Sequence, residues 1–154
     1  MSAFEWLQQH APGMPQLTAA ERAAISDFSI FWSLFESFAL DNSASAERIL
    51  RTTRSWCDSG NLTAQTFAPH LDYFRGRYFQ NGLETAHFAH LNLRGNDMID
   101  LVRRVLQGQS EGVAQDSAVA LIVVYRFRNN LFHGMKWEYA LQGQLENFFT
   151  RTRF

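Results

Sequence analysis

The stretch Val113-Ala114-Gln115-Asp116-Ser117-Ala118-Val119-Ala120-Leu121-Ile122-Val123-Val124-Tyr125-Arg126-Phe127-Arg128-Asn129-Asn130-Leu131-Phe132-His133 runs without glycine or proline. Residues 118–125 are apolar on nearly every face. Taken alone, residues 121–125 suit a buried strand, because apolar β-branched residues dominate them. The uninterrupted length favours one helix over 113–133 instead. A helix that is apolar all round lies at the centre of its fold. Gly134 is then placed to supply the left-handed residue that ends it.

The chain on either side of this stretch reads as further helices punctuated by glycine, proline and capping residues. A short helix covers residues 4–10, before Pro12 and Gly13. Thr18-Ala19-Ala20-Glu21 is a capping box, in which hydroxyl and carboxylate satisfy free amide donors at a helix start. Ile25, Phe28, Phe31/Trp32, Phe35 and Phe38/Ala39 follow at spacings of three and four, which predicts a long amphipathic helix to about Leu40. Asp41-Asn42-Ser43 is a break. Ala46, Ile49/Leu50, Thr53 and Trp56/Cys57 mark a third helix that stops near Ser59-Gly60. Thr63 caps a fourth, carrying Phe67, Leu71, Phe74 and Tyr78, with its first turn starting or kinked at Pro69. Asn81-Gly82 closes it. Residues 83–95 fit a short helix or a loop. A further helix starts at Asn96 or Asp97 and ends at Gly108, with Met98, Ile99, Leu101/Val102 and Val105/Leu106 inward. A final helix carries Trp137, Leu141, Leu145 and Phe148. The expected fold is all-α, an irregular bundle of about five to seven helices in a single domain over residues 1–154. Phe28, Phe35, Leu71, Phe74, Leu121 and Val124 are its expected core.

Composition narrows the function. Apolar residues make up 46% of the 154, with 14 Phe and 4 Trp, so general disorder is excluded. A formal net charge of -1 makes no basic field over the whole chain, and any RNA site must be a local patch. One cysteine, Cys57, forms no intrachain disulfide. Met1-Ser2-Ala3-Phe4-Glu5-Trp6 lacks the basic-then-apolar pattern of a secretory signal. No unbroken apolar run approaches the roughly 20 residues that span a bilayer. Cytoplasm, with no membrane partner, is the expectation.

The polar end of the central helix holds the chemistry. Arg126, Asn130 and His133 share one stripe, since spacings of four and seven return to the same face. Arg128 and His133 are roughly 140° apart at 3.6 residues per turn, so only the long arginine stem or a partner chain brings guanidinium to imidazole. A neutral imidazole takes a proton from a ribose 2′-hydroxyl. A guanidinium holds two phosphate oxygens and stabilises the charge that builds in transit. The Asn129 amide can orient the histidine or the phosphate. No metal or cofactor is required. Solvated arginines and a capping histidine at a helix C-terminus give the same pattern on electrostatic grounds alone.

Tyr125-Arg126-Phe127-Arg128-Asn129-Asn130-Leu131-Phe132-His133-Gly134 resembles the signature of the HEPN superfamily. There an arginine, usually followed by a polar residue, precedes a histidine late in a core helix. Arg128, Asn129 and His133 match that arginine, polar residue and histidine, and become the candidate catalytic residues. Arg126, Asn130 and Lys136 are the candidates for RNA contact around them. The resemblance covers about ten residues of the 154. It implies a helical bundle, and a homodimer joining two Arg/His sets across a cleft. It further implies metal-independent endoribonuclease activity that leaves 2′,3′-cyclic phosphate ends. Members of this kind include toxins and phage-defence effectors, some held by a protein antitoxin. The branch paired with a nucleotidyltransferase antitoxin often has tyrosine two positions after the histidine, where this chain has Met135. The alternative that the resemblance allows is a non-catalytic RNA- or protein-binding module.

Other motifs are weaker. Glu84-Thr85-Ala86-His87 has the Glu-x-x-His spacing of di-iron bundles, but no second copy exists. His87 and His90 are read as structural or loop residues, with no metal site expected. His10 and His70 have no interpretable companions. A serine nucleophile elbow, a phosphate-binding glycine loop and zinc-ligand spacing are all absent from the sequence.

Overall fold

The computed structural model describes residues 1–11 and 14–132. The predicted final helix, His133, Gly134, Met135 and Lys136 lie outside the described residues. Seven helices and one two-stranded hairpin make up the described chain, so the fold is all-α. In order they are α1 (Ala3–His10), a 3₁₀ turn (Met14–Gln16), α2 (Ala19–Leu40), α3 (Ala46–Asp58) and α4 (Ala64–Tyr78). The hairpin β1 (Phe79–Gln80) and β2 (Leu83–Glu84) follows, then α5 (Ala86–Ala89), α6 (Ile99–Leu106) and α7 (Val113–Phe132). The strand alternative at residues 121–125 is thereby excluded.

Local chemistry explains most boundaries. Ser2 caps α1, accepting from the Glu5 amide, while Glu5 reaches back to the Ser2 amide. The Thr18/Glu21 capping box forms as the sequence predicts, with Glu21 N–H donating to Thr18 Oγ1 (3.2 Å) and Thr18 N–H to Glu21 Oε2 (2.9 Å). Ser45 caps α3, accepting from the Arg48 amide at 3.1 Å. Two starts differ from expectation. The helix α4 begins at Ala64 and carries Pro69 in its interior. The missing proline N–H leaves the Gln65 carbonyl without its helical donor. The helix α6 begins at Ile99, not at 96 or 97, because Asp97 is drawn into a tertiary ion pair and cannot cap. Met98 takes the N-cap position in the left-handed conformation (φ 55°), which costs a bulky L-residue about 1–2 kcal/mol.

The chain divides into two compact units. The first comprises Met1–Ser33 and the segment starting at Arg128. Its buried apolar side chains are Met14, Leu17, Ala24, Phe28, Trp32 and Leu131. The second, Leu34–Phe127, holds most of the buried apolar residues. Every residue from Ala118 to Val124 on α7 is buried there, as an all-round apolar helix requires. Phe88 on α5 meets Tyr78 and Phe79 with ring centroids 6.4 and 5.4 Å apart, within the favourable range for edge-on aromatic pairs. Thr53 Oγ1 on α3 lies 3.0 Å from both the Leu50 carbonyl and the Ala114 carbonyl, so one hydroxyl ties α3 to the start of α7. Arg75 on α4 donates to the Val105 carbonyl of α6 (3.2 Å) and pairs with Asp116 of α7 (3.4 Å).

Five of the six expected core residues are buried, and Phe35 is half-buried against Trp56 at 6.4 Å between centroids. The inward assignment of Phe31 and Phe38 is corrected: both are exposed, Phe38 to 86%, together with Ile30 and Leu34. Apolar residues occur on too many faces of α2 for all to turn inward. For the same reason α2 meets the length and composition of a membrane-crossing helix, as core helices of water-soluble proteins also do. After Arg22 the apolar run to Leu40 is interrupted by Asp27, Glu36 and four serines (Ser26, Ser29, Ser33 and Ser37), which is why counting unbroken stretches passes over it.

Thr53→Val keeps the shape and deletes the hydroxyl, leaving the Ala114 carbonyl without that donor. Urea denaturation is expected to show a loss of about 1–2 kcal/mol with an unchanged m-value.

Candidate functional site

The helix α7 turns from apolar to polar after Tyr125. Arg126 is the first polar group, and it is buried with its partner Asp97 (side chains 3% and 4% exposed). Its three nitrogens are all engaged. Nε donates to the Leu91 carbonyl (3.3 Å), Nη2 to the Asn92 carbonyl (2.6 Å), and Nη1 lies 3.3 Å from Asp97 Oδ2. That carboxylate also accepts from the Arg94 amide at 2.7 Å. Burial pulls the guanidinium below its ordinary pKa and the Asp97 charge opposes the shift. Arg126 therefore clamps residues 91–97 to α7. The geometry gives it a structural occupation in place of the RNA contact that its sequence position suggests.

Arg128, Asn129 and Asn130 belong to the first unit. Arg128 is half-buried, and its Nη1 donates to Asn129 Oδ1 at 3.0 Å. Neighbouring residues on a helix do not normally face each other. The long arginine stem closes the gap, and the amide oxygen fixes one edge of the guanidinium. Asn129 and Asn130 are both buried. The Arg-Asn opening of the motif is thus a connected pair, with Asn129 orienting Arg128. His133, the third candidate catalytic residue, and Lys136 lie outside the described residues.

The Glu84-x-x-His87 spacing does not make a metal half-site in the fold. Glu84 sits on β2 and is held by Arg103 Nε of α6 at 2.6 Å, while His87 is on the one-turn helix α5. Among the described residues no cluster of three or more metal-ligating side chains exists. The Asn81-Gly82 pair closes a hairpin with φ of 52° and 77°, a left-handed turn that this dipeptide favours. The same dipeptide that ends α4 in the sequence pattern thus also forms the hairpin turn.

His87 is shifted below the ordinary imidazole pKa of 6.5, first by partial desolvation, then by Arg77 and His90. A depressed histidine binds fewer protons folded than unfolded, so its contribution to stability is present above 6.5 and is lost as pH falls below that toward the lower folded value. Proton NMR titration of His87 is expected to give a midpoint below 6.5, moving upward in Arg77→Ala. A midpoint unmoved by that substitution would remove the charge contribution.

In comparisons with known proteins, no family model matches this chain, and neither a curated protein nor a solved structure is significantly similar to it.

Proposed function

We propose that the chain is a metal-independent endoribonuclease of the HEPN type, working in the cytoplasm as a homodimer with Arg128, Asn129 and His133 as its catalytic set. The observation that supports this reading is the Arg128–Asn129 hydrogen bond at the polar end of a helix whose Ala118–Val124 run is buried on every face. A catalytic guanidinium must be held in one orientation, and this bond holds it. In the proposed reaction the neutral His133 imidazole takes the proton of a ribose 2′-hydroxyl. The O2′–P bond forms as the P–O5′ bond breaks, leaving a 2′,3′-cyclic phosphate and a 5′-hydroxyl that receives a proton. Arg128 stabilises the phosphate oxygens in transit. Asn130 and Lys136 remain proposed RNA contacts, and Arg126 acts behind the site as the clamp on residues 91–97. A toxin or phage-defence role, with a protein antitoxin as restraint, follows from the same resemblance.

A second reading, a non-catalytic RNA- or protein-binding module, is favoured by the burial of Asn129, Asn130 and Arg126. Groups committed to the fold serve recognition or architecture as readily as chemistry.

An RNA-cleavage assay separates the two. The wild type is expected to cleave in EDTA and to leave cyclic phosphate ends. His133→Ala and Arg128→Ala are each expected to lose about 100-fold or more, with helical circular dichroism retained. Asn129→Ala is expected to fall less, since it frees the guanidinium without deleting it. Induction of the wild type should arrest growth, while His133→Ala should not. A wild type that cuts nothing, with the same variants changing only RNA or partner affinity, would establish the binding module.

A further inference from the structure

Away from the α7 motif, the second unit carries an open concavity of about 450 Å³ between the outer face of α3 and the residue preceding α6. Leu50 and Met98 form its apolar part, and Arg51, Arg54 and Ser55 bring hydrogen-bond donors. Glu47 and Asp58 stand at its ends along the helix.

The charges are arranged unusually. Glu47/Arg51 and Arg54/Asp58 are each four apart on α3, the spacing at which opposite charges ordinarily close intrahelical pairs. Neither pair closes. Arg51 and Arg54 have no ion pair or hydrogen bond among the described residues, although Arg48 and Arg75 nearby in sequence each have several. Two guanidinium forks and one hydroxyl therefore share a helix face beside an apolar floor. The floor is held at a cost. Met98 adopts φ 55°, ψ 48°, which a side chain of its size avoids. The Asp97 carboxylate, fixed by Arg126 and the Arg94 amide, over-determines that conformation from the preceding residue. Backbone strain maintained by its surroundings, in a residue lining a cavity, is characteristic of ligand clamps.

We propose that this concavity binds a phosphate monoester carrying a flat, largely apolar body, of the size of a nucleoside monophosphate. The volume lies in the range of small-molecule sites. Arginine forks match phosphate oxygens two at a time, and Ser55 adds a third donor. Leu50 and Met98 offer a surface for a base, the methionine sulfur being well suited to aromatic contact. Two carboxylates offset two guanidinium groups, so an anion is held by the local arginine forks and not by a net positive field. A continuous phosphate backbone passing Glu47 and Asp58 is disfavoured. The shared chemistry admits a free mononucleotide or the phosphorylated end of a strand.

The test is calorimetric titration of the full chain with AMP. Saturable binding is expected for the wild type, with inorganic phosphate competing more weakly. Arg51→Ala/Arg54→Ala changes two exposed residues and is expected to lose affinity by about tenfold or more without losing helical signal. Met98→Asn accepts the left-handed backbone but removes the apolar floor, and its affinity for AMP should fall toward that for inorganic phosphate. Displacement of AMP by a 5′-phosphorylated trinucleotide at comparable concentration assigns the site to strand ends. Failure of the trinucleotide to displace AMP assigns it to the free mononucleotide. No saturable AMP binding by the wild type at millimolar concentration, or unchanged affinity in the double arginine variant, overturns the proposal. Binding is read without RNA cleavage, so this result is independent of the catalytic reading.

Discussion

The buried pair between Arg126 and Asp97 is the interaction on which the central part of the fold depends. A guanidinium in the interior is tolerable only when every nitrogen has an acceptor, and here each does: two backbone carbonyls and one carboxylate. The consequence runs both ways along the chain. On α7 it permits a cation directly after a helical run buried on every side. In the loop it holds residues 91–97 without regular secondary structure, since their carbonyls and one amide are satisfied by charged groups and not by a ladder. It also sets the backbone that delivers Met98 to the start of α6 in a left-handed conformation. Net stability is not what such a pair supplies, because two ions lose their hydration to form it. What it supplies is specificity, a single way for the loop to lie on the helix.

The elements legible from the sequence are those whose causes are local. The Thr18/Glu21 box, the glycines after α3 and α6, and the unbroken stretch of α7 each act within a few residues, and each gave its helix end or identity correctly. Capping energies and helix periodicity are short-range effects. The misread positions are those where a distant partner prevails. Asp97 has the composition of a helix cap but a stronger partner 29 residues away in Arg126, so α6 starts later. Phe31 and Phe38 fit the periodicity of an inward face, yet α2 carries apolar residues on more faces than the interior accepts. Pro69 shows the converse case, in which α4 continues from Ala64 despite a lost hydrogen bond.

The candidate site was legible in the same uneven way. That Arg128 and Asn129 form a unit is contained in their adjacency and in the length of an arginine stem. That Arg126, and not Arg128, is the arginine taken up by the loop is not contained in any local feature. Its position, charge and neighbours are equally compatible with phosphate binding, and only the placement of residues 91–97 distinguishes the two. Residue type reports what a side chain can do, and tertiary partners decide whether it remains available.

Helix geometry explains why two arginines so close in sequence separate so completely. Positions two apart on a helix point roughly 200° around the axis from one another. A helix end carrying Arg126 and Arg128 must therefore present them in nearly opposite directions. Whichever one faces the loop carbonyls is consumed by the fold, and the other is directed elsewhere. Arg126 meets Leu91, Asn92 and Asp97, so Arg128 is the arginine that turns away and remains half-exposed. Asn129 then orients it at 3.0 Å. The spacing of the motif thus sets the two cations on different faces, with Arg126 anchoring the loop and Arg128 bonded to Asn129. A spacing of three in place of two would bring both arginines to within roughly 60° of one another and lose that division.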